Sequence, residues 1–155
     1  MKYGYKIPKD KEELYVRARY LYAPISTKAA VEIAKTIKNM FLPDAIKYLE
    51  DVIAHRRFVP YSRYTHVSHR PGTENGIKTG RYPEKACKYY LKMLKNLENN
   101  ARQKNLDPES LRLVHVKANK GPIRMRYKLI KYDIKYLRKK ITHIEVVAKQ
   151  ENRGG

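Results

Sequence analysis

Five histidines and one cysteine are the side chains here best suited to proton transfer, metal ligation or nucleophilic attack: His55, His66, His69, His115, His143 and Cys87. His66 and His69 are spaced so that both could reach one ion, but two further ligands are not evident, and a closed metal site needs four. They read as polar loop residues able to touch phosphate. Cys87 falls near the apolar side of a helical pattern, where a thiol stays protonated and inert. A single cysteine permits no disulfide and no multi-cysteine zinc site within the chain, and suits a reducing compartment. The acidic pair Glu50 and Asp51 sits on a helix pattern and reads as a solvated or salt-bridged face. No phosphate-cradling glycine loop, dinucleotide fingerprint or serine elbow is present. The expectation is a protein that is not an enzyme and holds neither metal nor cofactor.

The stronger constellation is electrostatic. From Lys117 to Lys140 there are ten Lys or Arg against one acid, Asp133. They are Lys117, Lys120, Arg124, Arg126, Lys128, Lys131, Lys135, Arg138, Lys139 and Lys140. A second group, Arg63, Arg70, Lys78 and Arg81, lies between Phe58 and Tyr82. Several adjoin a ring: Arg63 with Tyr64, Arg81 with Tyr82, Arg126 and Lys128 around Tyr127, Lys131 with Tyr132, Lys135 with Tyr136. Cations bind phosphates and release counterions, while tyrosine rings stack on bases or pack over sugars. The plain alternative is a solvated basic face.

The whole chain supports the first reading. Its 155 residues hold 35 Lys+Arg against 15 Asp+Glu, a net charge of +20, with 14 tyrosines and no tryptophan. Such a field repels itself, and a polyanion that neutralises it is the economical explanation. Nucleic acid fits best, with an anionic membrane surface second. Apolar content of 42 % is enough for one domain with a real core. No run of 18 apolar residues exists, so no membrane span is expected. The start, "MKYGYKIPKDKEE", has no apolar signal core, so export is not expected.

The elements that must carry these residues follow from periodicity. Residues 1–13 read as a polar tail. Leu14 to Ala23 alternates, with Leu14, Val16, Ala18, Tyr20 and Tyr22 on one face, and reads as a half-buried strand. Ser26 or Thr27 can cap a helix to about Met40. Pro43 opens a second helix with a stripe of Ile46, Leu49, Val52 and Ile53. Residues 58–82 read as a long loop ordered only on a partner. Pro83 opens a third helix that buries Ala86, Tyr90, Met93, Leu94, Leu97 and Ala101. Asp107-Pro108 caps a short turn. Leu111–Ala118 and Thr142–Ala148 read as strands. The segment between them is undecided by pattern. Ile130, Tyr132, Ile134 and Tyr136 alternate as in a strand, yet Tyr127, Ile130, Ile134, Leu137 and Ile141 also form a helical stripe. A hairpin turning near Lys131 to Lys135 would have arms of roughly 17 residues, about 50 Å long. Such a ribbon is marginal alone and makes sense inside folded RNA. Gly121-Pro122 marks a bend or bulge in either case.

Four stretches carry a resemblance. "ISTKAAVEIAKTIKNM" with "DAIKYLEDV", "TGRYPEKACKYYLKMLKNLENNARQKNLDPESL", "VKANKGPIRMRY" and "THIEVV" resemble the large-subunit ribosomal protein L-twenty-two family in its archaeal and eukaryotic form, called L-seventeen in eukaryotes. The likeness covers about Leu14 to Lys149, and residues 58–82 correspond to an insertion that bacterial members lack. It implies a single α+β domain, a small antiparallel sheet packed on three helices with a long protruding basic β-hairpin at 117–141. It implies a cytoplasmic structural constituent of the large ribosomal subunit that binds large-subunit rRNA. Neighbouring ribosomal proteins would be its other partners, the nascent peptide would meet the hairpin tip at the exit tunnel, and no homo-oligomer is expected. By position, Lys120, Arg124, Arg126 and Lys128 fall on the outgoing arm, and Arg138, Lys139 and Lys140 on the return. The tip departs from the family: "LIKYDIKYLRKK" has no glycine and contains Asp133. The rival readings are a free regulatory DNA- or RNA-binding protein with a basic helix at Tyr127–Ile141, and an RNA-modifying enzyme.

Overall fold

The computed structural model describes residues 4–65, 79–130 and 133–151, with the backbone alone for residues 10, 124, 126, 129, 130 and 133–137. Three helices cover one face of a three-stranded antiparallel sheet. The strands are β1 (Tyr15–Ala23), β4 (Leu111–Lys120) and β7 (Thr142–Gln150), in the order β1-β7-β4. The helices are α1 (Thr27–Ile37), α2 (Leu42–Ile53) and α3 (Glu84–Gln103). The fold is α+β, as the resemblance implies.

The helices form because their apolar residues recur every three or four positions, and that stripe has to be buried. In α3 all six stripe residues, Ala86 to Ala101, are buried, and Cys87 is buried beside them. The Tyr90 hydroxyl donates to the Ala30 carbonyl at 2.7 Å, which ties α3 to α1 inside the core. Pro43 sits in the first turn of α2, as read, though Ile46 and Ile53 are only half-buried and Ala45, Tyr48, Leu49 and Val52 make its inner face. α1 stops at Ile37 rather than Met40. Lys38 is extended and Asn39 takes φ 68°, a left-handed conformation that Asn tolerates. The chain then runs beside β4, with Asn39 N–H on the Leu113 carbonyl and Leu113 N–H on the Met40 carbonyl. That pairing covers part of a strand edge otherwise open to association.

β1 keeps the expected alternation only as far as Tyr20. Val16 and Ala18 face the core. A register shift between Tyr20 and Ala23 then inserts one residue, and the parity of the strand flips. Tyr22, expected inside, has φ 58° and is exposed, and Ala23 is buried in its place. Leu14, also expected inside, is exposed.

Residues 4–14 are not a free tail. Gly4 N–H donates to the Glu145 carboxylate at 3.3 Å, the Tyr5 ring lies 5.5 Å from the His115 ring, and Lys9–Leu14 forms a 3-10 helix. This strap covers the sheet face opposite the helices. It helps to bury the second face of β7 at Glu145, while the Tyr22 ring packs edge-on against His143.

Residues 58–82 are ordered at their base. β2 (Val59–Pro60) and β3 (Gly80–Arg81) pair antiparallel, with Val59 and Tyr61 buried. Those two apolar side chains anchor the first end of the insertion, and the pairing of Val59 with Arg81 and the Tyr61 N–H on the Thr79 carbonyl tie the second end to it.

Beyond β4 the chain enters β5 (Arg124–Ile130), pairs antiparallel with β6 (Asp133–Lys139) and returns through β7. Strand pairing, not a helix, is what this backbone adopts. Lys120 faces Thr142 while Arg124 faces Lys139, so the register slips by one residue at Gly121-Pro122-Ile123. Pro122 has no N–H to donate, and a bulge is the ordinary consequence. Lys117–Lys120 stay in the three-stranded sheet. The ten residues from Gly121 to Ile130 reach about 33 Å at about 3.3 Å each, shorter than the 50 Å arm expected. The pair Ile130 and Asp133 closes the described ladder. Asp133 and Lys135 therefore lie in a strand, where a turn was expected, and Lys131 lies outside the described residues.

Burial shapes the acid–base behaviour of the core. It pushes the Cys87 thiol and the Tyr61 hydroxyl each up to about 12, and the Tyr90 hydroxyl higher still. Once unfolded they ionise near 8.5 and 10. Their raised folded values therefore support stability fully below those unfolded values, and that support drains as pH rises toward 12. Cys87 is expected to resist a thiol reagent at pH 8 until denaturant unfolds the chain, and the melting temperature is expected to fall steadily from pH 9 to 12. Rapid native labelling would contradict the burial.

Candidate nucleic-acid interface

The ribbon of β5 and β6 presents its cations against the ordinary rules of strand pairing. The register sets Arg124 opposite Lys139 and Lys128 opposite Lys135. Like charges directly opposite one another are unfavourable, and an isolated two-stranded ribbon is marginal in water. Several of the described acids are engaged elsewhere. Glu12 pairs with Arg17, Asp51 with Arg56, Glu84 with His55, Glu98 with Arg102, Glu145 with His115, and Glu151 with both Arg112 and Lys149. Lys149 and Arg112 together hold the Glu151 carboxyl below its ordinary range. Among the described residues, Lys117, Lys120, Lys128, Arg138, Lys139 and Lys140 pair with no acid, and all six are exposed.

The ribbon carries apolar side chains as well. Ile123, just before β5, and Met125 and Tyr127 within it recur at every second position, and all are exposed, Tyr127 most of all at 72 %. Bare, a basic ribbon with this surface should open easily. Its amides are expected to exchange within about a minute in the free protein and to be protected at least a hundredfold once the protein sits on its polyanion. Strong protection in the free protein would show that no partner is needed.

The loop cations divide. Arg63 is exposed and lies 5.7 Å from the Tyr64 ring centre. Arg81 is half-buried beside Tyr61, where its charge offsets part of the upward push on that hydroxyl. Arg70 and Lys78 lie outside the described residues, as do His66 and His69.

Two contributors escaped the sequence reading. Lys28 sits in the first turn of α1, a turn that holds no acid, although helix starts favour negative charge. That misplaced cation is the signal which could have found it. Its ammonium lies 5.5 Å from the Tyr64 ring. Glu32, at 1 % exposure, is the other. Its carboxylate accepts from the backbone N–H of Arg63 at 2.8 Å, of Tyr64 at 3.0 Å and of Ser62 at 3.3 Å, and from the Ser62 hydroxyl. A buried carboxylate so satisfied fixes the segment that presents Arg63 and Tyr64.

These elements meet at the root of the ribbon. A cleft of about 300 Å³ is lined by Thr27 and Lys28 of α1, Tyr64, Lys120 and Gly121 at the end of β4, Ile123, and Arg138, Lys140 and Ile141 of the return. Gly121 N–H donates to the Ile141 carbonyl at 2.8 Å, which holds the two arms together there. A side chain at position 121 would bring its Cβ within 2.9 Å of that oxygen, so the root closes this tightly only around glycine. Among the described residues no group of three or more His, Cys, Asp or Glu could hold a metal ion, and no helix is long and apolar enough to cross a membrane.

Residues 18–149 match the family described as ribosomal protein L22p/L17e. Three relatives, each described as large ribosomal subunit protein uL22, share this sequence over most of their length. The protein of Archaeoglobus fulgidus is 46 % identical over 81 % of this chain and 79 % of its own. That of Methanosphaera stadtmanae is 47 % identical over 78 % and 77 %. That of Sulfolobus acidocaldarius is 35 % identical over 94 % and 96 %.

Proposed function

Because this chain belongs to the ribosomal protein L22p/L17e family, we propose that it works in the large ribosomal subunit by binding rRNA through the basic ribbon and its root, with the ribbon directed at the nascent-peptide exit tunnel. Members of this family are structural proteins of the subunit rather than enzymes, and the cytoplasmic ribosome is where they act. The observation that carries the rRNA reading is the ribbon's charge. Ten cations against one acid lie in 24 residues, and the ribbon register sets Arg124 opposite Lys139 and Lys128 opposite Lys135. A folded polyanion on both sides turns that repulsion into binding.

Phosphate contacts dominate in this reading. Arg124, Arg126 and Arg138 carry most weight, since the guanidinium fork matches a phosphate in two hydrogen bonds where lysine offers a point charge. Lys117, Lys120, Lys128, Lys131, Lys135, Lys139 and Lys140 supplement them, and Arg63, Arg70, Lys78 and Arg81 extend the surface along the insertion. Recognition reads shape more than sequence, as expected where side chains meet a folded RNA backbone. Neighbouring ribosomal proteins and the emerging peptide are its further contacts.

The test is co-sedimentation with large subunits followed by salt stripping. With about ten phosphate contacts the protein stays bound at low salt and leaves only at high ionic strength, because affinity falls steeply with the logarithm of salt concentration. Release at 50 mM salt, or sedimentation with the small subunit, would overturn the proposal.

A further inference from the structure

We infer that the cleft at the ribbon root is a built site for one sugar–phosphate unit of RNA, distinct from the diffuse attraction of the ribbon. The inference rests on the rRNA-binding reading and assigns it a place. Four cations, Lys28, Lys120, Arg138 and Lys140, converge on a space of about 300 Å³, at the small end of ligand-site volumes. No acid lines it. Its walls are not purely polar: Ile123, Ile141 and the Tyr64 ring contribute an apolar surface. Apolar and cationic side chains lining one small space suit a ribose together with its phosphate.

The parts are held in place before any ligand arrives. Glu32 fixes the Ser62–Tyr64 segment with four hydrogen bonds. The Tyr64 ring gathers Lys28 from one element and Arg63 from its own. Gly121 and Ile141 fix the far wall. The first turn of α1 adds its own polarity. Its N-cap, Ser26, makes no side-chain capping bond, and the turn offers a lysine where an acid would stabilise the helix. An external anion supplies the negative charge that the sequence withholds. Because Lys28, Tyr64 and Lys120 come from the body while Arg138 and Lys140 come from the returning arm of the ribbon, one phosphodiester bridges the two. The site thereby sets the angle at which the ribbon leaves the body.

The experiment uses the full-length protein and transcribed large-subunit rRNA, with binding measured across a salt series. The wild type must bind; if it does not at low salt, the rRNA reading itself fails. Given binding, a K120Q/R138Q/K140Q variant is expected to reduce the slope of log affinity against log salt by about 0.7–0.9, the share of the one phosphate the cleft holds. A Tyr64→Leu variant is expected to weaken binding about tenfold with no change in slope. A K47Q/K88Q/K95Q variant removes the same charge from exposed helix positions and is expected to leave the slope within 0.5 of wild type. Equal losses in both triple variants would show diffuse attraction and overturn the site. So would displacement of the RNA by inorganic phosphate at matched ionic strength, since a bare anion lacks the ribose. An unchanged triple variant beside a binding wild type would sink this inference alone.

Discussion

A double variant, Arg124→Glu with Arg126→Glu, is expected to fold and yet to be absent from large subunits. Both residues belong to β5, whose partner is β6, whereas the buried core is assembled from β1, β4, β7 and the three helices. The body should therefore keep its circular dichroism spectrum and its melting temperature within a few degrees. Binding is another matter. Each reversal changes the charge by two, so the chain goes from +20 to +16 with the loss confined to one strand. Hydrogen bonds to charged groups contribute about 1.5–3 kcal/mol each, so losing two weakens association by at least about a hundredfold before repulsion is added. Gradient sedimentation of lysate expressing the variant beside a tagged wild-type copy reads the outcome. Equal occupancy of the two forms would remove the ribbon from the interface.

Much of the fold was legible because it is written locally. The stripe of α3 repeats every three or four residues, and burial follows from that spacing whatever the rest of the chain does. Pro43 and Asp107 announce their turns by their own chemistry, and the Asp107 carboxylate does accept from the Glu109 N–H. The failures share a different cause. Gly4 meets Glu145 across 141 positions, and nothing in a polar opening segment marks that it will cover a sheet. Tyr22 occupies a left-handed conformation that tyrosine does not advertise. It is held by its N–H on His143 Nδ1 at 3.0 Å and by the edge-on contact of the two rings. The ribbon sequence satisfied a helix and a strand equally well, since a period of two and a period of 3.6 coincide over short runs. Only a pairing partner distinguishes them, and the partner is the other arm.

The candidate site divides along the same line. Its charge was visible in the composition, because ten cations cannot be hidden in a core. Its geometry was not. The cleft exists where three separate stretches meet, near positions 28, 64 and 120–141, and no one stretch carries a motif. Glu32 is the sharpest case. It interrupts an apolar helix face, next to Ile33, where a polar residue looks like a flaw. The carboxylate is there because the insertion must begin at a defined place, and three adjacent backbone N–H groups need a common acceptor.

Replacing that acceptor should therefore cost more than its single position suggests. A Glu32→Leu variant keeps the volume and removes a desolvated charge, which by itself is favourable. It also takes the acceptor from three backbone donors and one hydroxyl. Buried donors without partners cost about 1–3 kcal/mol each. Ser62 and Arg63 are exposed, so the segment can escape part of that cost by peeling into water. The expected balance is a loss of about 3 kcal/mol, or a fall in melting temperature of roughly 6–12 °C for a domain of this size. Glu32→Gln keeps one oxygen acceptor and should lose about half as much. The decisive readout is the pairing of two effects in the Leu variant. Amides of residues 62–64 lose protection, and rRNA affinity falls several-fold at 25 °C although no cation has been altered. Loosened amides with unchanged affinity would show that Glu32 secures only the body, and that the cleft holds its ligand without Arg63 and Tyr64.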